Sequence, residues 1–215
     1  IMVAALGVLI FARNNEPGIV QQEESVNSCS LVNPSIEPSA KVLYKNLRVI
    51  SKEHILFGHQ DDLAYGVGWQ YEHGRSDTKE TTGSYPAVFG WDIGGIGLGM
   101  DKNLDSIPFD KMKLLIRHAY DEGGIITISW HTYNPISHKD SWTDKTRPDS
   151  TLSHLLHGMG HHQAYVDMLD KAADFLLDLR DKDNNLIPVF FRPFHENNGS
   201  WFWWGQKHCS PDQYK

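Results

Sequence analysis

The feature that most restricts the fold is a short pattern that recurs along the chain. A predominantly apolar run of four to six residues stops at a polar or ionisable side chain, and an amphipathic stretch follows. Ile55-Leu56-Phe57-Gly58 stops at His59-Gln60-Asp61-Asp62, and Ala87-Val88-Phe89-Gly90-Trp91 stops at Asp92. Residues 125–130 stop at His131, and residues 189–194 stop at His195-Glu196. Runs this short, rich in Ile, Val, Phe and Trp, predict strands rather than helices. Residues 39–52 place Val42, Leu43, Leu47 and Ile50 on one helical face. Ser106 is positioned to cap a further helix with Pro108 in its first turn, which Gly123-Gly124 ends. Residues 163–179 form the strongest helical stripe, through Tyr165, Leu169, Ala172, Leu176 and Leu179.

Strands alternating with helices predict βα units and a parallel sheet. All four expected strands carry polar or aromatic residues at their C-terminal ends, the end that holds the active site in a TIM barrel. Pro188 stands at the first position of the fourth strand, where a missing N–H is tolerated. Four βα steps are half of a (β/α)8 barrel, and an open four-stranded α/β sheet is the alternative. A long loop is expected from Thr132 to about Gly160.

The length of 215 residues suits one sizeable core or part of a larger domain. A net charge of −7 opposes a nucleic-acid partner, because phosphate binding needs a basic face, but it is no obstacle to a neutral ligand. Residues 1–12 are almost wholly apolar and too short to span a bilayer. They read as the h-region of a secretory signal without its basic n-region, which implies a secreted, periplasmic or cell-surface protein. A buried terminal strand or helix is the alternative. Residues 13–38 read as a polar tether, and residues 39–215 as a folded domain or the N-terminal part of one. Cys29 and Cys209 make no disulfide framework, and Cys29 lacks a convincing lipobox.

The residues able to carry chemistry concentrate after the fourth strand. Glu196 is a lone carboxylic acid at a strand tip, with His195 before it and Trp201 soon after. Desolvation by aromatics raises a carboxyl pKa and makes a general acid near neutral pH, whereas a solvated glutamate paired with Arg192 would do no chemistry. Trp201, Trp203 and Trp204 offer flat faces that suit sugar rings, but alternation prevents all of them from facing one cleft, so at least one belongs to the core. His131 ends the third strand on the same face as Glu196, and Asn134-Pro135 marks a turn. Trp142, in the long loop, is a candidate cleft wall. His154, His157, His161 and His162 have no recognised zinc spacing, and His195-Glu196 lacks the second histidine of a zincin. The glycines at 94–99 lack a phosphate-binding Lys-Ser/Thr. No metal and no cofactor is expected.

Taken in order, Phe57-Gly58-His59-Gln60-Asp61, Gly90-Trp91-Asp92, Ser129-Trp130-His131 with Asn134-Pro135, and Arg192-Pro193-Phe194-His195-Glu196-Asn197 with Gly199-Ser200-Trp201-Phe202-Trp203-Trp204-Gly205 resemble glycoside hydrolase family 26. The resemblance covers about residues 40–215. It implies that residues 39–215 are the N-terminal part of a (β/α)8 catalytic domain, about its first four βα units, and that the protein is a retaining endo-β-1,4-mannanase acting on mannan, galactomannan or glucomannan. Glu196 would be the acid/base, with His131, His195, Trp201 and, less centrally, Trp142 binding substrate. The nucleophile would belong to strand seven, beyond Lys215, so the 215 residues alone are expected to show no normal turnover. A related β-1,3-xylanase or mixed-linkage glucanase, or a non-catalytic carbohydrate-binding protein, are the competing readings.

Overall fold

A computed structural model describes residues 35–143 and 149–215. The apolar run at 1–12, most of the expected tether and Cys29 lie outside those residues. The described elements are α1 (Pro38–Ile50), β1 (Gly58–Gln60), β2 (Tyr65–Gly66), β3 (Trp69–Gln70), α2 (Asp77–Thr82), β4 (Val88–Asp92), a 3-10 turn (Ile96–Leu98), α3 (Phe109–Asp121), β5 (Ile125–Trp130), α4 (Thr151–Leu155), α5 (His162–Leu177), β6 (Val189–Pro193) and α6 (Pro211–Tyr214). The main sheet has the order β1-β4-β5-β6, and β2-β3 is a separate antiparallel hairpin. β1 pairs with β4 in parallel, Gly58 opposite Val88 and Gln60 opposite Gly90. At least one helix separates each sheet strand from the next in sequence, as a run of βα units requires.

The chain divides into two compact units, one ending at Gly90 and taking in 115–126 and 180–189, the other formed by 91–114, 127–179 and 190–215. In the first, Phe89, Ile116, Ala119, Ile125 and Ile126 are buried. Gly124 is required there, because a Cβ would run into the Phe89 ring. Asp61 and Asp62, just past β1, are buried; Asp62 accepts a 2.7 Å bond from Thr78 Oγ1, and Tyr65 OH donates to Asp61 Oδ2 at 3.3 Å. Ser76 caps α2 by accepting from the Lys79 N–H, and Gly83, at φ 83°, ends it.

In the second unit α5 buries Met168, Ala172 and Phe175, with Leu179 continuing the row. Ala172 and Leu179 of the expected stripe are buried and Tyr165 and Leu176 partly so, but Leu169 is exposed, because Met168 packs where Gly97 offers no side chain and Phe175 meets Phe109 edge-on at 5.7 Å. A second cluster joins Leu152, Leu155, Phe202, Trp203 and Trp204.

Several sequence expectations shift. β1 starts at Gly58, and Ile55 is exposed rather than in a strand. Ser106 has φ 66° and lies in a turn ahead of α3, so it is not the cap; α3 begins after Pro108. Gly123, at φ 90°, does terminate that helix. The long loop contains α4, and α1 buries none of its residues despite its apolar face. Among the described residues no helix is long and apolar enough to cross a membrane.

Candidate active site

The site lies within the second unit, where β4, β5 and β6 end. β6 runs out at Pro193, and two non-glycine residues beyond it adopt left-handed backbone, Phe194 at φ 48° and Glu196 at φ 56°. That conformation is uncommon for side chains of this size and marks a segment held by its surroundings. The restraints are visible. Tyr214 OH donates to the Phe194 carbonyl at 3.1 Å, Trp204 Nε1 donates to the His195 carbonyl at 2.9 Å, and Gly199 N–H closes on the Glu196 carbonyl at 2.9 Å. The Phe194 ring is enclosed by Trp203 and Trp204 at 5.9 and 5.8 Å. The strained turn thereby presents the Glu196 side chain outward.

Glu196 is exposed, contrary to the expected desolvation. Its Oε2 instead accepts a 2.9 Å hydrogen bond from Trp201 Nε1, which ties the carboxylate to the aromatic loop. The salt bridge with Arg192 weighed from sequence is not among the ion pairs of the described residues.

Behind Glu196 lies a chain of three polar side chains. Asp92, the last residue of β4, is 2% exposed and accepts from Ser129 Oγ at 2.6 Å and Gly94 N–H at 2.7 Å. Its Oδ2 is 2.7 Å from His131 Nδ1, and His131 Nε2 is 3.2 Å from His195 Nε2. Burial works against a charge on His131, but the hydrogen bond and charge of Asp92, with Glu196 and Asp105 beyond, outweigh it and raise its pKa. His195 moves the other way: burial, then the neighbouring His131, lower its pKa against the pull of Asp92 and Glu196. Asp92 was legible as a strand-end carboxylate; its place in the site was not assigned.

The aromatic residues divide as alternation requires. Trp203 and Trp204 are fully buried core, while Trp201 stays half-exposed on Glu196. Trp203 Nε1 donates to the Thr132 carbonyl at 2.9 Å, fixing the strand-end loop that follows His131. Trp142 is 59% exposed, and its ring meets Phe202 at 5.2 Å. Phe202 also lies against His131 at 5.2 Å and His195 at 5.7 Å, a role that sequence reading missed. His131 with His195 and Glu196 with Trp201 thus form two contacting pairs, joined because His195 and Glu196 are consecutive residues, and the Phe202 ring meets His131, His195, Trp201 and Trp142.

Other motifs serve the scaffold. Asn134 accepts from the Ile136 and Ser137 N–H groups in a turn and donates to Thr151 Oγ1 at 2.7 Å. His162 Nδ1 contacts the Leu155 carbonyl at 2.8 Å, while the His154 and His161 rings pack at 6.3 Å. Among the described residues no three His, Cys, Asp or Glu side chains are grouped to hold a metal. His208, another residue missed from sequence, accepts from Asp149 N–H at 2.9 Å and bonds the Ser200 carbonyl at 3.0 Å, pinning the tryptophan loop. The Cys209 thiol packs beneath that loop, and burial raises its pKa.

Comparison with known proteins supplies the family. Residues 32–215 match the sequence profile of glycosyl hydrolase family 26. A mannan endo-1,4-β-mannosidase of Bifidobacterium adolescentis is 34% identical over 96% of this chain and 21% of its own length. Among solved structures, a family 26 β-mannanase from Bacteroides ovatus superposes with a TM-score of 0.79 at 44% identity, over 83% of this chain and 52% of that one. A modular endo-β-1,4-mannanase from Cellulomonas fimi gives 0.71 at 37% identity, over 82% and 40%. The chain spans between 21% and 52% of the length of these three relatives. A fourth strand that ends in a carboxylate held by a tryptophan, behind three strands in sequential sheet order, agrees with that match over most of the chain: it belongs to glycosyl hydrolase family 26 and carries about the first four βα units of a (β/α)8 barrel.

Proposed function

We propose that the chain supplies the acid/base half of a retaining endo-β-1,4-mannanase, with Glu196 as the acid/base. The observation that carries this is the placement of Glu196. The carboxylate stands exposed at a strand tip, oriented by Trp201 Nε1 at 2.9 Å and backed by His195 and His131. An exposed, oriented carboxyl can protonate a glycosidic oxygen in the first step and take a proton from water in the second. The other carboxylate of a retaining pair stands about 5–5.5 Å away and attacks the anomeric carbon; in this reading it comes from a later part of the same barrel. Trp201 and Trp142 present apolar ring faces to the C–H faces of mannose rings, and His131 and His195 border the bond that is cut. Mannan is the substrate by the likeness to relatives named as mannan endo-1,4-β-mannosidases. The apolar run at 1–12 supports export from the cell, which detection of the mature protein in the medium or periplasm would test.

The test is reducing-sugar release by the full-length protein across a panel of mannan, β-1,3-xylan and mixed-linkage glucan, with Glu196→Gln alongside. Hydrolysis of mannan is expected, reduced roughly 100- to 10,000-fold in the variant. Cleavage of only another polysaccharide would overturn the substrate. An unchanged rate in Glu196→Gln would overturn the role of the carboxylate, and binding of manno-oligosaccharide without release would leave a carbohydrate-binding protein.

A further inference from the structure

We infer that Asp92 is a positioning residue that, through the His131 ring, fixes His195 in one tautomer, with its hydrogen on Nε2 and a bare Nδ1. The inference follows from which atoms are able to donate. Among the described residues the other hydrogen-bond partners of the Asp92 carboxylate all donate to it: Ser129 Oγ at 2.6 Å, Gly94 N–H at 2.7 Å and His131 N–H at 3.3 Å. An acceptor-only carboxylate 2.7 Å from His131 Nδ1 requires the hydrogen to sit on that nitrogen. A neutral His131 then has Nε2 as its acceptor, so His195 Nε2, 3.2 Å away, must donate. His195 Nδ1 is left without hydrogen. It is buried with no hydrogen-bond partner among the described residues, a place that suits a bare ring nitrogen better than an orphaned N–H.

The same geometry gives the arrangement a second state. The charged and titratable groups facing the two rings are Asp92 at the end of β4, Asp105 ahead of α3, Arg192 on β6 and Glu196 beyond it. Their balance makes His131 the ring that is protonated first on acidification. A doubly protonated His131 donates from Nε2, so His195 must accept there and carry its hydrogen on Nδ1. One proton gained by His131 from solvent therefore moves the hydrogen of the neighbouring ring from Nε2 to Nδ1, with no net proton gained by His195. Its bearing on catalysis rests on the role proposed for Glu196; the tautomer itself does not.

Nitrogen-15 spectra of the full-length protein labelled at histidine, with peaks assigned by His131→Gln and His195→Gln, test this without substrate. At alkaline pH the His195 signals should show Nε2 bearing hydrogen and Nδ1 bare, and the two should exchange character over the pH range in which His131 becomes doubly protonated. Asp92→Asn should abolish the single tautomer, since an amide can donate to His131 Nδ1 as readily as accept from it. Wild-type His195 with hydrogen on Nδ1 at alkaline pH, or as a mixture, would overturn the inference, as would an unchanged His195 tautomer in Asp92→Asn. Should that variant fail to fold, the wild-type spectrum decides alone. Absence of mannan hydrolysis would sink the proposed function and leave the spectrum as it is.

Discussion

At the scale of single residues, the Asp92–His131 pair has a measurable effect on stability as well as on geometry. His131 holds its proton more tightly in the folded chain than at its ordinary value of 6.5. The stabilisation from the pair is therefore full below 6.5 and is lost as pH rises through the higher folded value. His195, lowered by burial, acts with the opposite sign and in a window below 6.5, so the two effects separate on the pH axis. Urea unfolding at a series of pH values should show wild-type stability declining through the window above 6.5, and Asp92→Asn lacking that decline. The same decline in the variant would show that Asp92 does not hold the proton. Glu196 was legible in the sequence because it stands alone at a strand tip, but Asp92 was not placed beside it. The two ends of the Asp92–His131 bond are 39 residues apart. The available clue is that consecutive parallel strands set their C-terminal residues side by side, which brings Asp92 to His131.

At the scale of elements, legibility tracked length and period. β5 was readable to the residue because a six-residue run with Ile125, Ile126, Ile128 and Trp130, rich in β-branched side chains and bounded by Gly123-Gly124 and His131, is too short for a helix and fits one strand. The β2-β3 hairpin escaped because two-residue strands have no period, although Gly68, at φ 79°, marks its turn. α5 keeps Ala172 and Leu179 of its expected stripe buried and Tyr165 and Leu176 partly so, but Met168 and Phe175 take the deepest places and Leu169 is exposed, since Gly97 and Phe109 decide which side chains have room and neither is visible in the periodicity. The tryptophan loop is the element on which the site depends most. Trp204 is fully buried, and its Nε1 is the group that holds the His195 carbonyl. Trp204→Phe keeps most of the apolar area but strands that carbonyl, and should cost about 1–3 kcal/mol. Denaturant midpoints would show it, and a midpoint equal to wild type would mean that the strained turn is held by Tyr214 and the Phe194 packing instead.

At the scale of the molecule, the order of the strand-end motifs made the barrel legible, since a parallel sheet that advances strand by strand fits four successive βα units. In the proposed function the chain supplies one carboxyl of a two-carboxyl reaction, and the two steps of a retaining mechanism use that carboxyl differently. In the first step it protonates the departing oxygen, which matters when the leaving group is a sugar hydroxyl and hardly at all when it is a stable aryl oxide. In the second it deprotonates water, which matters for every substrate because the glycosyl-enzyme is the same. Glu196→Ala in the full-length protein should therefore lose most of its activity on mannan. On a dinitrophenyl manno-oligoside it should still show a rapid first burst of phenolate, followed by a slow steady rate. Azide, which attacks without a base, should restore that steady rate and give a glycosyl azide. An equal loss on both substrates, with no burst and no azide effect, would mean that Glu196 binds the sugar without transferring a proton. The two outcomes differ because proton transfer depends on the leaving group and binding of the shared sugar does not.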